Sequence, residues 1–287
     1  MADVKSNTPK VPGYLPDLFS ILEKWSPRLA GKLALRLFLK PIRFKTPQRE
    51  KEALENARVF NISVEKYKVA IYEWGEGPVI WVFHGWSGRA TQLYEITKQL
   101  VRNGYKVYGI DAPGHGKSTG NDSSVLLYES ALQELNRLNG PPLAYIGHSL
   151  GGAVGFLAYK NGIKIKKLVS IGAPAISDAI IMEALQKVGA GKITLINLNK
   201  AFLKKFGEPF ENFTVLNWIK NPPDVPVLIV HDKDDRDAPF HHAETLAAAL
   251  PDAEFYVTTG LGHNRILRDN EVIKKVINFI TEKPKHE

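Results

Sequence analysis

Leu143-Ala144-Tyr145-Ile146-Gly147-His148-Ser149-Leu150-Gly151-Gly152-Ala153 is the stretch whose reading decides the fold. Its first four residues are a short apolar run of strand size, and Leu150 to Tyr159 reads as a helix. Between them, Gly147-His148-Ser149-Leu150-Gly151 makes a turn from strand to helix. A turn this sharp forces its serine into a strained backbone conformation, and small residues nearby let strand and helix approach without collision. The new helix points its first N–H groups at the serine and favours negative charge there. A bare Gly-x-Ser-x-Gly is a weak pattern. Set between a buried strand and a helix, it marks Ser149 as a candidate nucleophile on a nucleophile elbow.

The same rhythm extends to both sides. Val59 to Glu76 reads as paired strands, and Val79-Ile80-Trp81-Val82-Phe83 is a nearly all-apolar run of the kind buried on both faces of a parallel sheet. Helices are predicted over 90–102, 124–138, 243–250 and 272–280, with further strands over 105–110, 167–171, 225–230 and 254–258. Strands alternating with helices at this spacing imply an α/β fold built on a doubly wound, mostly parallel sheet. One interval breaks the alternation. Residues 176–222 contain no apolar strand run but carry Met182, Leu185, Phe202, Phe206, Phe210, Phe213 and Trp218, so they read as a small helical cap inserted over the strand ends. The predicted organisation is a basic helical extension over 1–60, a core over 61–175 and 223–287, and a cap over 176–222.

The extension is distinctive in charge. Residues 1–60 hold twelve Lys and Arg against six Asp and Glu, most of the net charge of +8 carried by all 287 residues. Over 14–45, Leu18, Ile21, Leu22, Trp25, Leu29, Leu33, Leu35, Leu37 and Phe38 supply an apolar face, with Pro27 and Pro41 breaking the stretch into shorter helices. Lys24, Arg28, Lys32, Arg36 and Lys40 form a basic stripe beside it. The plainer reading is a helical segment packed on the body with solvated cations; the sharper one is peripheral contact of residues 14–45 with an anionic membrane surface. Because the excess charge lies outside the catalytic body and no nucleic-acid-binding module is present, no nucleic-acid partner is expected. Met1 to Lys10 lacks the pattern of a secretory leader, and the longest apolar runs fall short of the ~20 residues of a membrane span. The expected location is cytoplasmic. The sequence contains no cysteine, which excludes disulfides, thiolate metal sites and a cysteine nucleophile.

A serine needs a base to take its proton. Of the eight histidines, His263 follows the last predicted strand in Thr259-Gly260-Leu261-Gly262-His263-Asn264, where glycines allow a tight loop to return the imidazole over the sheet. The base in turn needs a carboxylate to hold its tautomer. His231-Asp232-Lys233-Asp234-Asp235-Arg236-Asp237-Ala238-Pro239 offers four aspartates at another strand end. Asp234 and Asp237 read as solvated loop charges and Asp232 as a turn or capping residue. A developing oxyanion needs preorganised donors, for which the N–H groups of Leu150, next after the serine, and of Trp86, in His84-Gly85-Trp86-Ser87-Gly88, stand at the expected positions. Two other motifs carry no such role. Asp111-Ala112-Pro113-Gly114-His115-Gly116-Lys117-Ser118 ends like a phosphate-binding loop but has Asp111 where the first glycine belongs. His241-His242 lacks spaced partners, and adjacent helical side chains diverge, so no metal is expected, nor any cofactor.

Taken together, His84-Gly85-Trp86, Asp111 to Ser118, Gly147 to Gly152, His231 to Pro239 and Gly262-His263 occur in the order found in the α/β-hydrolase superfamily, which the chain resembles over residues 79–265. The acid loop of that family often reads His-Gly-x-x-Asp-x-x-Val-Pro. His231, Asp235 and Pro239 match it, so the resemblance implies Asp235 as the acid, with Asp232 in place of the usual glycine and Ala238 in place of valine. Relatives that take the acid from an earlier strand end are not matched, because Gly172-Ala173-Pro174 has no carboxylate. Serine at the elbow also separates the chain from relatives whose nucleophile is aspartate. Residues 85–89 and 260–267 resemble bacterial esterase-like members without an assigned substrate. The implied activity is that of a serine hydrolase, foremost a carboxylesterase acting on small or medium acyl esters. A membrane-surface lipid-ester hydrolase, a thioesterase, an amidase, a perhydrolase and a C–C hydrolase are the alternatives on the same fold.

Overall fold

The computed structural model describes residues 12–175, 181–182 and 185–282. Residues 1–11 and 283–287, and the opening of the expected cap, 176–180 with 183–184, lie outside the described residues. The chain divides into two compact units, residues 1–39 with 177–212 and residues 40–176 with 213–287.

The larger unit holds an eight-stranded sheet. Strands β1 (Arg58–Val64), β2 (Tyr67–Trp74), β3 (Val79–Phe83), β4 (Lys106–Ile110), β5 (Ala144–His148), β6 (Lys167–Ile171), β7 (Val227–Asp232) and β8 (Glu254–Thr258) lie in the order β1-β2-β4-β3-β5-β6-β7-β8. The pairs β1–β2 and β2–β4 are antiparallel and all others parallel. Strand β3 alternates its apolar side chains between two cores. Ile80 and Val82 pack with Ile96, Leu100, Val272 and Val276, whereas Trp81 and Phe83 pack with Tyr128, Leu132, Tyr145 and Val154 on the opposite face. That two-sided burial is why the strand is apolar at every position.

The order of the strands reverses at β3. The chain passes from β3 to β4 on one side and then crosses to β5 on the other, so the loops leaving β3 and β5 diverge at a switch point, where open α/β sheets bind ligands. Strand β7 begins two residues later than the sequence suggested, after Pro226, and runs on to Asp232. Asp232 is therefore the last strand residue, not a turn residue.

In the smaller unit, α1 (Leu15–Trp25) and α2 (Pro27–Phe38) are separated at Ser26, with Pro27 at the first position of α2, where its missing N–H costs nothing. Between them and the helix Lys192–Phe206 the close contacts use small residues. Gly31 lies so near the Asn197 backbone that a Cβ there would collide with it. Rings of Phe38, Phe202, Phe206 and Phe210 complete the packing. The buried residues of α1 and α2 are Leu15, Phe19, Ala30, Gly31, Ala34 and Leu35. The apolar face read from sequence is covered only in part: Ile21, Trp25, Leu29 and Leu37 are exposed. Hydrophobicity ranks the leucines as core, but helix-to-helix approach in this unit selects alanine and glycine.

Candidate active site

The elbow forms as its sequence requires. Ser149 has φ 53° and ψ −124°, a conformation that L-residues rarely adopt, and it caps the helix Leu150–Lys160. Its N–H donates to Ile171 O at 2.8 Å, which pins the turn to β6. Side chains at Gly147 or Gly151 would meet backbone atoms of the turn or of Phe83 and His84, so both positions exclude a Cβ. The helix that follows offers Leu150 N–H at its first position.

Strand β3 lies beside β5 in the register Phe83↔Gly147, which carries the 84–88 loop to the nucleophile. A Cβ built on Gly85 would fall 3.1 Å from Ser149 Oγ, so the backbone of this loop and the serine are immediate neighbours. Three buried polar side chains hold it. His84 Nδ1–H donates to Gly85 O (2.7 Å) while its Nε2 accepts Ala112 N–H (3.0 Å). His115 Nδ1–H donates to Pro113 O (3.0 Å), and its Nε2 accepts Ser87 N–H (3.0 Å). Tyr128 OH donates to Gly85 O at 3.0 Å. Burial pushes His84 down to about 4 and His115 down to about 3, so both rings are neutral at pH 7 and can accept. Asp111, the residue that spoils the phosphate-loop pattern, is fully buried and accepts N–H groups of Ala90 and Lys117 and the Tyr72 hydroxyl.

The predicted base and acid meet. His263 Nδ1 lies 2.7 Å from Asp235 Oδ2. Asp235 Oδ1 accepts two backbone N–H groups, from Asp237 at 2.9 Å and Ala238 at 2.8 Å. Burial would raise the Asp235 pKa, but the hydrogen bond and charge of His263 and the loop N–H of Ala238 outweigh it and hold the carboxyl below its ordinary range. The end of β6 lies against the pair: a Cβ at Gly172 would sit 3.4 Å from both Asp235 Oδ2 and His263 Nδ1. The backbone of His263 is fixed as well, since His148 Nε2–H donates to His263 O at 2.8 Å with ring centres 4.6 Å apart. Burial and the neighbouring His263 push His148 down to about 3, so it stays neutral. No hydrogen bond joins Ser149 Oγ to His263 among the described residues; nucleophile–base contacts of this kind commonly tighten only in the substrate complex.

Sequence reasoning missed several of the residues that hold this arrangement. Asp232 accepts the N–H groups of Leu261 (3.0 Å), Gly262 (2.9 Å) and Asp234 (2.9 Å) and the Thr258 hydroxyl (2.7 Å). Asp234, read as a solvated charge, accepts Gly260 N–H at 2.8 Å. Together they tie the His263 loop to the acid loop. The clue was present as a carboxylate ending a buried strand, where an unpaired charge is costly. Residues 42–44 form a second missed element. Ile42 N–H donates to Ser87 Oγ (2.9 Å), Arg43 to the carbonyls of Ser118 and Gly120, and Arg89 is clamped by Glu50 at 2.6 and 3.0 Å. The rings of His241 and His242 lie 4.3 Å apart, so these neighbours do not diverge as adjacent helical residues were expected to. Among the described residues, no three His, Cys, Asp or Glu are grouped as a cation site.

Removing the Asp232 carboxylate would leave three N–H groups and a hydroxyl without their acceptor. Asp232→Ala is expected to cost about 3 kcal/mol in denaturant unfolding. Burial raises the Asp232 pKa, but its hydrogen bonds from Thr258, Gly262, Leu261 and Asp234 bring it below the ordinary aspartate range. A depressed folded pKa contributes stability that is complete above the unfolded value and lost as pH falls through the folded one. The melting temperature should therefore drop on acidification below about pH 4, and Asp232→Asn should flatten that drop.

Comparison with known proteins identifies the fold. A family model described as alpha/beta hydrolase fold matches residues 78–195, from the start of β3 through the elbow. The AB hydrolase superfamily protein YisY of Bacillus subtilis (strain 168) is 26% identical, over 71% of this chain and 91% of its own. The chain has the α/β-hydrolase fold. It is also similar to the non-heme haloperoxidase of Rhodococcus erythropolis, at 24% identity over 67% of this chain and 87% of the relative. Among solved structures, the esterase Pf2001 of Pyrococcus furiosus superposes with a TM-score of 0.62 at 19% identity, covering 84% of this chain and 98% of that one. The chain has no helix, among its described residues, long and apolar enough to cross a membrane.

Proposed function

We propose that the chain is a serine hydrolase that cleaves carboxylic esters of small or medium acyl groups through an acyl-enzyme. The observation that carries the proposal is the hydrogen-bonded pair His263–Asp235 alongside a serine held in a strained elbow. Ser149 Oγ attacks the ester carbonyl carbon and its proton passes to His263 Nε2, while Nδ1–H donates to Asp235. The N–H groups of Leu150 and Trp86 hold the oxyanion. As the tetrahedral intermediate collapses, His263 returns the proton to the departing alkoxide, releasing the alcohol. Water, deprotonated by the same imidazole, then attacks the acyl-enzyme and frees the carboxylic acid and Ser149. The fixed, neutral His84 and His115 support the second oxyanion donor, because they immobilise the loop that carries Trp86.

The names of relatives agree with this reading: esterases are among the structural neighbours. The non-heme haloperoxidase relative favours one variation, in which hydrogen peroxide replaces water as the acceptor of the acyl group. The test is a fluorophosphonate probe, which should label Ser149 as identified by mass spectrometry of the modified peptide. A panel of p-nitrophenyl esters of increasing acyl length, run with water alone and with added peroxide, then reports acyl and acceptor preference. Labelling elsewhere, or no labelling, would overturn the mechanism.

A further inference from the structure

The outward face of α1 is apolar. Tyr14, Ile21 and Trp25 fall within a stripe about 40° wide along the helix, and they are 65%, 57% and 85% exposed. Leu29, one turn into α2, is 51% exposed. Large side chains of this type usually find cover in a soluble domain, and contiguous exposure of them marks an interaction surface.

The charges around the stripe identify the kind of partner. From Lys24 to Lys40 the chain holds five basic residues and no acidic one. Lys24, Arg28, Lys32 and Arg36 are all exposed, and none has an ion-pair partner among the described residues. The acid nearest to them, Glu23, is turned away: its Oε1 accepts Gly191 N–H at 2.7 Å and the Thr194 hydroxyl at 2.6 Å. The helix Lys192–Phe206 of the same unit repeats the combination, with Ile193, Ile196 and Leu203 exposed beside Lys200 and Lys204. An exposed tryptophan and tyrosine, aliphatic side chains and cations without ion-pair partners on the two consecutive short helices α1 and α2 match the chemistry of an anionic bilayer surface. Aromatic rings sit at headgroup depth, and Lys and Arg meet the lipid charge.

We infer that the helical unit docks this hydrolase on membranes containing anionic lipid, through Tyr14, Ile21, Trp25 and Leu29, with Lys24, Arg28 and Lys32 contributing the electrostatic attraction. Docking is separate from the chemistry proposed for Ser149, so it can be measured on Ser149→Ala protein as well as on the unaltered chain. The experiment is sedimentation of the full chain with phosphatidylcholine vesicles carrying about one-third phosphatidylserine, against vesicles of phosphatidylcholine alone. The expected result is partitioning to the anionic vesicles only, weakening as salt is added, with a blue shift of tryptophan fluorescence. Trp25→Ser, and separately the triple change of Lys24, Arg28 and Lys32 to Gln, should each weaken partitioning at least about tenfold with far-UV circular dichroism unchanged. Trp25→Ser should also abolish the fluorescence shift. Absence of binding to anionic vesicles, or binding that both variants leave intact, would overturn the inference. So would Trp25-dependent self-association without vesicle binding, which would assign the face to a second copy of the chain.

Discussion

Ser149→Ala is expected to lower kcat for a soluble p-nitrophenyl ester by about 10⁴- to 10⁶-fold. The change removes the atom proposed to form the acyl-enzyme yet leaves the Asp235–His263 hydrogen bond and the 84–88 loop as they are. Residual turnover would then report binding and oxyanion stabilisation alone. The fold should be nearly indifferent to the loss of one half-buried hydroxyl, with a melting temperature within about 2 °C of the unaltered protein. Ser149→Gly makes a sharper companion. It abolishes the same chemistry and also relieves the backbone held at φ 53°, so it should melt above Ser149→Ala if the elbow stores strain that only a side chain incurs. Equal activity of the alanine variant and the parent would remove Ser149 from the mechanism.

Much of this site could be read before any coordinates, and the reason is local. The elbow is written in eleven consecutive residues, and the strand ends that supply Trp86 and His263 follow from the periodicity of the strands themselves. Asp235 was different: four aspartates shared one loop, and only resemblance to a family pattern singled it out. What escaped reading was long-range. Asp232 holds partners up to thirty positions away, and Ile42 N–H reaches Ser87 across forty-five, so neither leaves a periodic trace. Which apolar side chains of α1 and α2 are covered escaped reading for a related reason. Which stripe of an amphipathic helix is buried depends on its partner, and here a close-packed neighbour took Ala30, Gly31 and Ala34 in preference to larger side chains.

Asp235→Asn is expected to reduce kcat/KM by about 10⁴-fold, more than its small change in volume suggests. The structure fixes which way the new amide must point. Oδ1 of residue 235 receives the N–H groups of Asp237 and Ala238, and only an oxygen can occupy that position. The amide nitrogen is then directed at His263 Nδ1, where the parent carboxylate accepts a hydrogen bond. A donor there forces Nδ1 to become the acceptor and moves the imidazole proton to Nε2. The ring is held in the same place but can no longer take a proton from Ser149. Asp235→Ala, which imposes no tautomer, should therefore retain at least as much activity as the isosteric variant, although it frees two loop N–H groups and lowers stability more. Nitrogen-15 spectra of the imidazole would show the tautomer directly. An Asn variant within tenfold of the parent, with Nδ1 still protonated, would mean that Asp235 does not orient His263.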